Sequence, residues 1–559
     1  MIKLHGLGLI VFALPALAQI SRPPVVLVNG YQATCNGTSD SSATFGSMQT
    51  LLAADGWQVA YFDNCSVEPG TTGSARPNIE QLAQAFGNFL DSLGAPQVDV
   101  VAHSMGGLIV RAYLAGKLPQ GGFSPPAVVP IRKAVFIATP HAGLLAISGL
   151  VGGNTTDSQT VEMFAGSNFL WDLATWNQRM DDLRGIDALT LAGNLGGSDG
   201  SQHSNDGVVV LTSASLAVTL GTDRVRVLPY CHANNLPSLL CDGPGIAVVT
   251  NRSHPTYQIV TSFLLDTTSW QSIGNDASQD AVLSKRGGLM LDARDNLGNA
   301  IANPGAAVLT DAQQQGDLPW NSEGVFFADY LPPGQDQVRV GGATYPVPIV
   351  SGGHIALEVK PGPKIALVAP AAGNVSTLDR SPGMLVAIYG SNLGDSSVTI
   401  DGIASPVFFN SSGQINTMVP ATSSGLVQLS VANAMGQDTL NILLAPAVPA
   451  VFSADGSGTG AALAFHASDS SAVSPSHPAH PGETISIFLT GLGVPAQAPV
   501  LQANGVAANL IGITPLPGSE GVIQLNFVAP QPEAGSTSVP LQAAVGNFLS
   551  NIVTLDIAP

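Results

Sequence analysis

The sequence predicts a multidomain protein: an N-terminal α/β domain, with a mainly parallel sheet and helices on both faces, followed by all-β sandwich modules. Its 559 residues exceed what one compact domain usually holds. From about residue 19 to 284, short apolar runs alternate with segments of helical spacing, which indicates strand–helix–strand units. After residue 285, alternating apolar and polar residues between Gly, Pro and Asn turns indicate β-structure alone.

The α/β part is predicted to consist of six strands, four helices and an inserted cap. Short apolar runs predict strands at 23–30, 57–63, 97–104, 131–140, 188–194 and 224–230. Apolar residues at helical spacing predict helices at 45–56, 78–94, 106–116 and 256–265, and a helical cap at about 141–185. This order favours strands that run parallel, each joined to the next by a helix.

The first residues have the pattern of a secretory signal peptide. Lys3 precedes the apolar stretch Leu7–Leu17, and Ala-Leu-Ala before Gln19 indicates cleavage at the end of residues 1–18. The stretch is shorter than the roughly 20 residues that a transmembrane helix needs. The alternative is a buried N-terminal helix. We expect export, to the periplasm, the cell surface or the medium, and no transmembrane span.

Charged residues are scarce and mostly acidic. Only 10% of the residues are charged, the formal net charge is −19 at pH 7, and no Lys or Arg follows Arg380. A surface with so few cations cannot neutralise phosphates, so we expect no nucleic-acid partner. Anionic lipid head groups should repel the protein for the same reason.

The four cysteines, Cys35, Cys65, Cys231 and Cys241, are interpreted through the predicted export. An oxidising compartment favours two disulfides, and three pairings are possible. Cys231 and Cys241 share one loop, which leaves Cys35 for Cys65. A metal site is the weaker interpretation because no Cys-x-x-Cys spacing occurs. We predict no metal and no other cofactor.

The part after residue 285 divides into a small β-domain at 285–362 and two β-sandwich modules at 363–447 and 448–559. The sequence SPGMLVAIYGSNLG from Ser381 is similar to HPGETISIFLTGLG from His480, roughly 100 residues later. A weak repeat of this length fits two sandwiches. These modules resemble the immunoglobulin-like TIG type, which implies a role in contact with a cell surface or a polysaccharide.

A lone serine stands between the predicted strand and helix of VDVVAHSMGGLIVRAYLAG. Ala102 and Gly106 lie two positions either side of Ser104, which is the spacing of a nucleophile elbow. Larger side chains there would collide with the strand and the helix, and the tight turn holds the serine oxygen at the carboxyl edge of the sheet. We predict that Ser104 is a nucleophile. The alternative is an ordinary strand-to-helix turn.

A serine hydroxyl needs a base, commonly an imidazole that a carboxylate orients. In folds that have a nucleophile elbow, the acid and the histidine come after the serine in the chain. His232 directly follows the strand 224–230 and is the predicted base. His254, which opens the last helix, is the alternative base. His103, next to the serine, is predicted to be structural.

Taken together, LVNGYQ, AHSMGG, ATPHAG and NDGVV resemble the α/β-hydrolases of the bacterial lipase and esterase group, over about residues 23–266. The resemblance implies Asp206 of NDGVV as the acid, with Asp199 in the same loop as the alternative. It also implies that the oxyanion of the reaction is bound by two backbone N–H groups, those of Tyr31 and Met105.

The predicted function is that of a secreted serine hydrolase that cleaves acyl or lipid esters through an acyl-enzyme. The apolar cap sequence EMFAGSNFLWDLATWNQRM would suit acyl chains, or belongs to the core. One alternative is a non-catalytic adhesion protein on a hydrolase scaffold. Another is an amidase, a polyester depolymerase or an acyltransferase with the same three residues, because a fold does not choose among these reactions.

Overall fold

A computed structural model describes most of the chain. The described residues are 22–33, 35, 40–67, 76–144, 157–176, 183–196, 204–274, 283, 285–301, 304, 306–310, 317–319, 325–373 and 379–559. The predicted signal peptide at 1–18, the alternative acid Asp199 and parts of the predicted cap lie outside them. Within the described part, no helix combines the length and the apolar character needed to cross a membrane.

The N-terminal part is a parallel sheet with helices between its strands. Its strands are β1 (Val25–Val28), β2 (Val59–Phe62), β3 (Val98–His103), β4 (Ile131–Ile137), β5 (Asp187–Gly193) and β6 (Val225–Leu228). Its helices are α1 (Ser42–Phe45), α2 (Met48–Ala54), α3 (Ile79–Leu93), α4 (Met105–Ala115), α5 (Ser158–Glu162), α6 (Asn168–Thr175), α7 (Leu211–Ser215), α8 (Ala217–Leu220) and α9 (Pro255–Leu264). The strand order is β2-β1-β3-β4-β5-β6, and each neighbouring pair is parallel.

Helices cover both faces of this sheet, as the alternation within β1 demonstrates. Val26 and Val28 belong to one buried cluster, together with side chains of α3 and α4 such as Phe86. Val25 and Leu27 belong to a second buried cluster, with side chains of α2 and α9. Because successive strand residues point to opposite faces, the two clusters are the two sides of the sheet. Apolar residues on both sides explain why the strands appear as continuous apolar runs.

In the part of the chain from residue 287 onward, the regular elements among the described residues are all strands. Its strands are β7 (Gly287–Ala293), β8 (Ala306–Thr310), β9 (Asp317–Pro319), β10 (Val325–Leu331), β11 (Gly334–Val340), β12 (Ala343–Ile349), β13 (His354–Val359), β14 (Lys364–Pro370), β15 (Asp379–Arg380), β16 (Leu385–Ser391), β17 (Ser397–Ile400), β18 (Ile403–Ser405), β19 (Val407–Asn410), β20 (Gln414–Met418), β21 (Gly425–Asn433), β22 (Gly436–Leu444), β23 (Ala450–Val451), β24 (Ala464–His466), β25 (Thr484–Thr490), β26 (Val500–Ala503), β27 (Val506–Ala507), β28 (Leu510–Pro515), β29 (Ile523–Val528), β30 (Ser538–Val545) and β31 (Phe548–Asp556). The described strands confirm the predicted fold class, an α/β part followed by all-β modules.

Two sandwiches form from these strands. The first has sheets of order β14-β16-β20-β19 and β15-β22-β21-β17-β18, and one buried cluster contains side chains from both. The second has sheets of order β23-β25-β29-β28 and β27-β26-β30-β31, again with a shared core. All the strand pairs are antiparallel except β15–β22, which is parallel. Two facing, mainly antiparallel sheets around a common core are the architecture of immunoglobulin-like modules.

The chain divides into two compact units, and each unit consists of three segments that are separated in the sequence. The first unit contains Met1–Met290, Phe327–Gln335 and Pro348–Ala356. The second contains Leu291–Phe326, Asp336–Val347 and Leu357–Pro559. The five-part division that the sequence suggests stays a prediction.

Candidate active site

The turn between β3 and α4 presents Ser104. Its backbone has φ 53° and ψ −128°, a conformation that costs free energy for any residue with a side chain. Gly106 is required beside it, since a Cβ there would lie 2.6 Å from the Val28 carbonyl oxygen. A Cβ on Gly107 would overlap the Thr139 side chain. The two glycines therefore let the helix start close against β1 and β4, directly after the serine.

Ser104, His232 and Asp206 form a continuous hydrogen-bonded chain. His232 Nε2 lies 2.8 Å from Ser104 Oγ, and His232 Nδ1 lies 2.8 Å from Asp206 Oδ2. All three residues are buried, Asp206 completely. The structure thus brings together the predicted nucleophile, the predicted base and the predicted acid.

The Asp206 carboxylate is fixed by the turn that carries it. Its second oxygen, Oδ1, accepts hydrogen bonds from the backbone N–H groups of Val208 (3.0 Å) and Val209 (2.7 Å). The Asp206 carbonyl accepts a 2.8 Å hydrogen bond from the His232 N–H. Asp206 therefore contacts both the ring and the backbone of His232, and one oxygen remains for the imidazole.

The loop after β6 holds His232. The adjacent Cys231 forms a disulfide with Cys241 and exchanges backbone hydrogen bonds with Pro244 and Ile246. With the second disulfide, Cys35–Cys65, this confirms that the cysteines are paired. The loop is therefore constrained on both sides of the imidazole.

His103, predicted to be structural, contacts the backbone of His232, a partner that the sequence did not reveal. Its Nε2 lies 3.0 Å from the His232 carbonyl oxygen, and the two ring centroids are 4.9 Å apart. Burial, with a smaller contribution from His232, lowers the pKa of His103 to about 3. A neutral ring can donate its N–H to that carbonyl. The position of His103 could have indicated this contact. His103 ends β3 at the carboxyl edge of the sheet, and the loop after β6, which carries His232, begins at the same edge.

His254, the alternative base, lies at the start of α9. It is the N-cap residue of that helix, and its Nδ1 accepts a 3.3 Å hydrogen bond from the Thr256 N–H. Its ring packs 4.9 Å from the Tyr230 ring, and burial lowers its pKa. The structure brings His232, and not His254, within hydrogen-bond distance of Ser104.

The end of β1 lies directly against the serine. A Cβ on Gly30 would lie 2.7 Å from Ser104 Cβ, so the backbone here is as close as a glycine allows. Asn29 is buried and accepts a 3.0 Å hydrogen bond from the Asn64 N–H. Asn64 in turn donates to the Gly30 carbonyl at 2.7 Å. These contacts fix the backbone that leads into Tyr31.

Tyr31 is held by a buried ion pair. Its hydroxyl donates a 3.2 Å hydrogen bond to Asp157, which also pairs with Arg76 at 3.0 Å. The Arg76 guanidinium lies 5.0 Å from the centre of the Tyr31 ring. Met105, the other predicted oxyanion donor, is the first residue of α4. An N–H in the first turn has no partner within its own helix.

A cavity of about 240 Å³ opens beside the serine. Its lining includes the hydrogen-bonding groups of Ser104 and His232, and the apolar side chains Leu144, Met163, Val208, Leu236 and Val248. Phe169, Leu170 and Leu173 of α6, by contrast, are buried in the core with α3 and α4. Among the described residues, no group of three or more His, Cys, Asp or Glu side chains is arranged to bind a metal ion.

Two parts of the chain match known families in sequence. Residues 23–176 match the family described as alpha/beta hydrolase fold, and residues 363–443 match the IPT/TIG domain. The chain therefore contains an α/β-hydrolase-fold domain in its N-terminal part and an IPT/TIG domain in its C-terminal part. This confirms the resemblance that the motifs indicated.

Solved structures show distant similarity. Phospholipase PlaB from Legionella pneumophila is 12% identical, over 60% of this chain and 93% of its own, with a TM-score of 0.44. An extracellular alpha/beta-hydrolase from a Paenibacillus species is 15% identical, over 21% and 40%, with a TM-score of 0.16. The Bacteroides ovatus glucan-utilisation protein SGBP-B, solved with a heptasaccharide, is 14% identical, over 45% and 60%, with a TM-score of 0.20.

Proposed function

We propose that this protein is an exported serine hydrolase that cleaves carboxylic esters of acyl or lipid type. The observation that carries the proposal is the chain of 2.8 Å contacts from Ser104 through His232 to Asp206, at a strained turn at the sheet edge. A free serine has little nucleophilicity at neutral pH, and this arrangement supplies the base that it needs.

The proposed reaction has two halves. Ser104 Oγ attacks the acyl carbonyl carbon while His232 Nε2 takes the hydroxyl proton; the C–O bond to the alcohol then breaks, and His232 returns that proton to the leaving oxygen. Water then attacks the carbonyl carbon of the acyl-enzyme while His232 takes its proton. The bond to Ser104 Oγ breaks, His232 returns the proton to that oxygen, and the acid leaves. Asp206 keeps the imidazole oriented and stabilises its protonated form, and the N–H groups of Tyr31 and Met105 bind the negative oxygen.

The cavity supports an apolar acyl group. Most of its side chains beside the reacting atoms are aliphatic or thioether groups, which favour burial of a hydrocarbon chain. Export is supported by the two disulfides and by the signal-peptide pattern. For the C-terminal modules we propose attachment to a cell surface or a polysaccharide, which the TIG match is compatible with.

Reaction with a fluorophosphonate probe tests the proposal. The wild type should label and should hydrolyse p-nitrophenyl esters, and Ser104→Ala should do neither while folding normally. Asp206→Asn and His232→Ala should each lower kcat by about 10⁴. Ser92→Ala, which removes a hydroxyl bound only to the Phe89 carbonyl on the surface of α3, is the matched control. An unlabelled wild type would favour the non-catalytic adhesion alternative.

A further inference from the structure

Two short segments from beyond residue 285 belong to the compact unit that contains Ser104. They are Phe327–Gln335, around the end of β10, and Pro348–Ala356, before and into β13. Both contact the segment 204–215, which includes Asp206. The hydrogen bonds between these segments are the basis of the inference.

Tyr330 contacts the start of the acid-bearing segment. Its hydroxyl oxygen accepts a 3.0 Å hydrogen bond from the Ser204 N–H, two residues before Asp206. Tyr330 has φ 63°, the left-handed region that a bulky side chain adopts only at a cost in free energy. The Arg286 guanidinium lies 5.7 Å from the centre of its ring. Tyr330 therefore keeps a costly backbone conformation while its hydroxyl bonds to Ser204.

Asp329 contacts the far end of the same segment. Its Oδ1 accepts a 2.7 Å hydrogen bond from the Thr212 hydroxyl, and the buried His354 Nε2 lies 3.2 Å from the same oxygen. The His354 ring stacks on the Phe327 ring at 5.0 Å. Burial raises the pKa of Asp329, but His354 and the hydrogen bonds from Thr212 and Tyr330 outweigh it, so the pKa is lowered.

A third contact follows one turn later. The Ser215 hydroxyl donates to the Gly352 carbonyl. The segment is therefore held at residues 204, 212 and 215, on both sides of Asp206. Its internal hydrogen bonds, such as Leu211 N–H to the Ser204 carbonyl at 2.8 Å, close the turn but do not fix its position against the rest of the fold.

We propose that Asp329 and Tyr330 are positioning residues that hold the Asp206 carboxylate against His232, an inference that rests on the proposed function of that pair. Neither side chain touches the reacting atoms; both act through the segment 204–212. A displacement of about 1 Å in a reacting group costs about 10²-fold in rate. The strand β10 therefore completes the site although it lies more than a hundred residues after Asp206 in the chain.

Isosteric variants test the positioning role in the full-length protein. Tyr330→Phe and Thr212→Val each remove one contact, and each should lower kcat about 10-fold with KM nearly unchanged. Thr212→Ser keeps the hydroxyl and should restore kcat. There are two matched controls: Tyr345→Phe on β12, which belongs to a different sheet from β10, and Asp292→Asn on β7, whose carboxylate binds Arg294.

Two further readouts separate positioning from general destabilisation. The rate of fluorophosphonate labelling should fall in parallel with kcat, and the downfield NMR resonance of the proton between Asp206 and His232 should shift or broaden in the variants but not in the controls. The inference would be overturned if Tyr330→Phe and Thr212→Val both kept the wild-type kcat, labelling rate and proton resonance. It would also be overturned if Thr212→Ser did not restore kcat. If the wild type itself neither labels nor hydrolyses esters, the proposed function fails instead, and the proton resonance still tests the positioning.

Discussion

At the scale of single residues, close backbone approach dominates the site. Ser104 has a left-handed φ, and Gly30 and Gly106 lie where any side chain would overlap their neighbours. Such positions specify one residue type for steric reasons, before any chemistry is considered. On its β1 side the proposed nucleophile therefore meets the backbone of Gly30 and not a side chain.

Gly30→Ala tests this close approach. The added methyl carbon would lie 2.7 Å from Ser104 Cβ and 3.1 Å from the His103 carbonyl oxygen, so the backbone or the serine must move. We expect kcat/KM for an ester to fall at least about 10²-fold, because displacement of the nucleophile by about 1 Å has that cost. Gly342→Ala, where a methyl group meets nothing within 4 Å, is the control. Full activity in Gly30→Ala would contradict the assignment of this edge to the site.

His254→Ala separates a structural histidine from the proposed base. Loss of the N-cap hydrogen bond to Thr256 should cost about 1 kcal/mol of stability. The rate of ester hydrolysis should stay within a few-fold of the wild type, whereas His232→Ala loses about 10⁴. Denaturant unfolding and kcat, measured on the same samples, check both effects. An inactive but folded His254→Ala protein, with His232→Ala active, would reverse the assignment.

At the scale of elements, three loops at the carboxyl edge of the sheet are held by different means. The loop after β1 is tied by the Cys35–Cys65 disulfide and by Asn29 with Asn64. The loop after β6 is closed by Cys231–Cys241. The segment after β5 contains no cysteine, and hydrogen bonds hold it instead. Ser204 and Thr212 donate to Tyr330 and Asp329, and Ser213 and Ser215 bond to Gly143 and Thr190.

Removal of the Cys231–Cys241 disulfide should affect the site before it affects the fold. A bridge that closes a loop this short contributes about 3 kcal/mol or less, so the double variant Cys231→Ala, Cys241→Ala should still fold. We expect kcat to fall about 10-fold or more as the His232 loop gains freedom, and the loss to increase with temperature below the unfolding transition. Circular dichroism and ester hydrolysis, followed over the same temperature range, measure this. Equal activity at every temperature would show that the disulfide does not position His232.

At the scale of the whole molecule, two compact units imply more than one unfolding transition. The second unit contains a contact between the buried His466 and Glu483 that makes its stability depend on pH. His466 Nδ1 lies 2.6 Å from Glu483 Oε1, and its ring stacks 4.2 Å from the His477 ring. The other Glu483 oxygen accepts a 2.9 Å hydrogen bond from the His480 N–H.

This pair should stabilise its unit most in mildly acidic solution. Burial lowers the pKa of His466, but Glu483 outweighs it and the pKa is raised; burial raises the pKa of Glu483, but His480 and His466 outweigh it and the pKa is lowered. The histidine contribution is complete below its ordinary value of 6.5 and disappears as pH rises through the raised pKa. The glutamate contribution is complete above 4.5 and disappears as pH falls through the lowered pKa.

Calorimetry across pH measures the effect. The transition of the second unit should have its highest midpoint between pH 4.5 and 6.5 and should fall by a few degrees towards pH 9, since such a pair contributes about 1 kcal/mol. His466→Gln should make the midpoint of the second unit depend less on pH. The pH dependence of the first unit's midpoint should not change. A midpoint that rises from pH 6 to 9 in the wild type would contradict the assignment.

Local pattern determined much of this protein. Apolar runs and helical spacing predicted the six strands of the parallel sheet in order, and small residues two positions either side of Ser104 predicted the turn. Such features depend on residues close in sequence, because strand and helix periods and tight turns are set over a few positions. The hydrolase fold and the C-terminal β-modules follow from the same kind of information.

Tertiary structure decided what local pattern could not. It brought His232 to Ser104 across 128 residues and left His254 as a helix cap. It also joined Tyr330 and Asp329 to the segment of Asp206, across 126 and 117 residues. Contacts at these separations depend on the order of the strands in the sheet and on which loops meet at its edge. The spacing of residues along the chain does not determine either one. The sequence by itself thus determined the strands along the chain and the elbow, and it favoured His232 over His254. The packing of distant segments decided the order of the strands in the sheet and the contacts of Asp329 and Tyr330, because both depend on residues far apart in the chain.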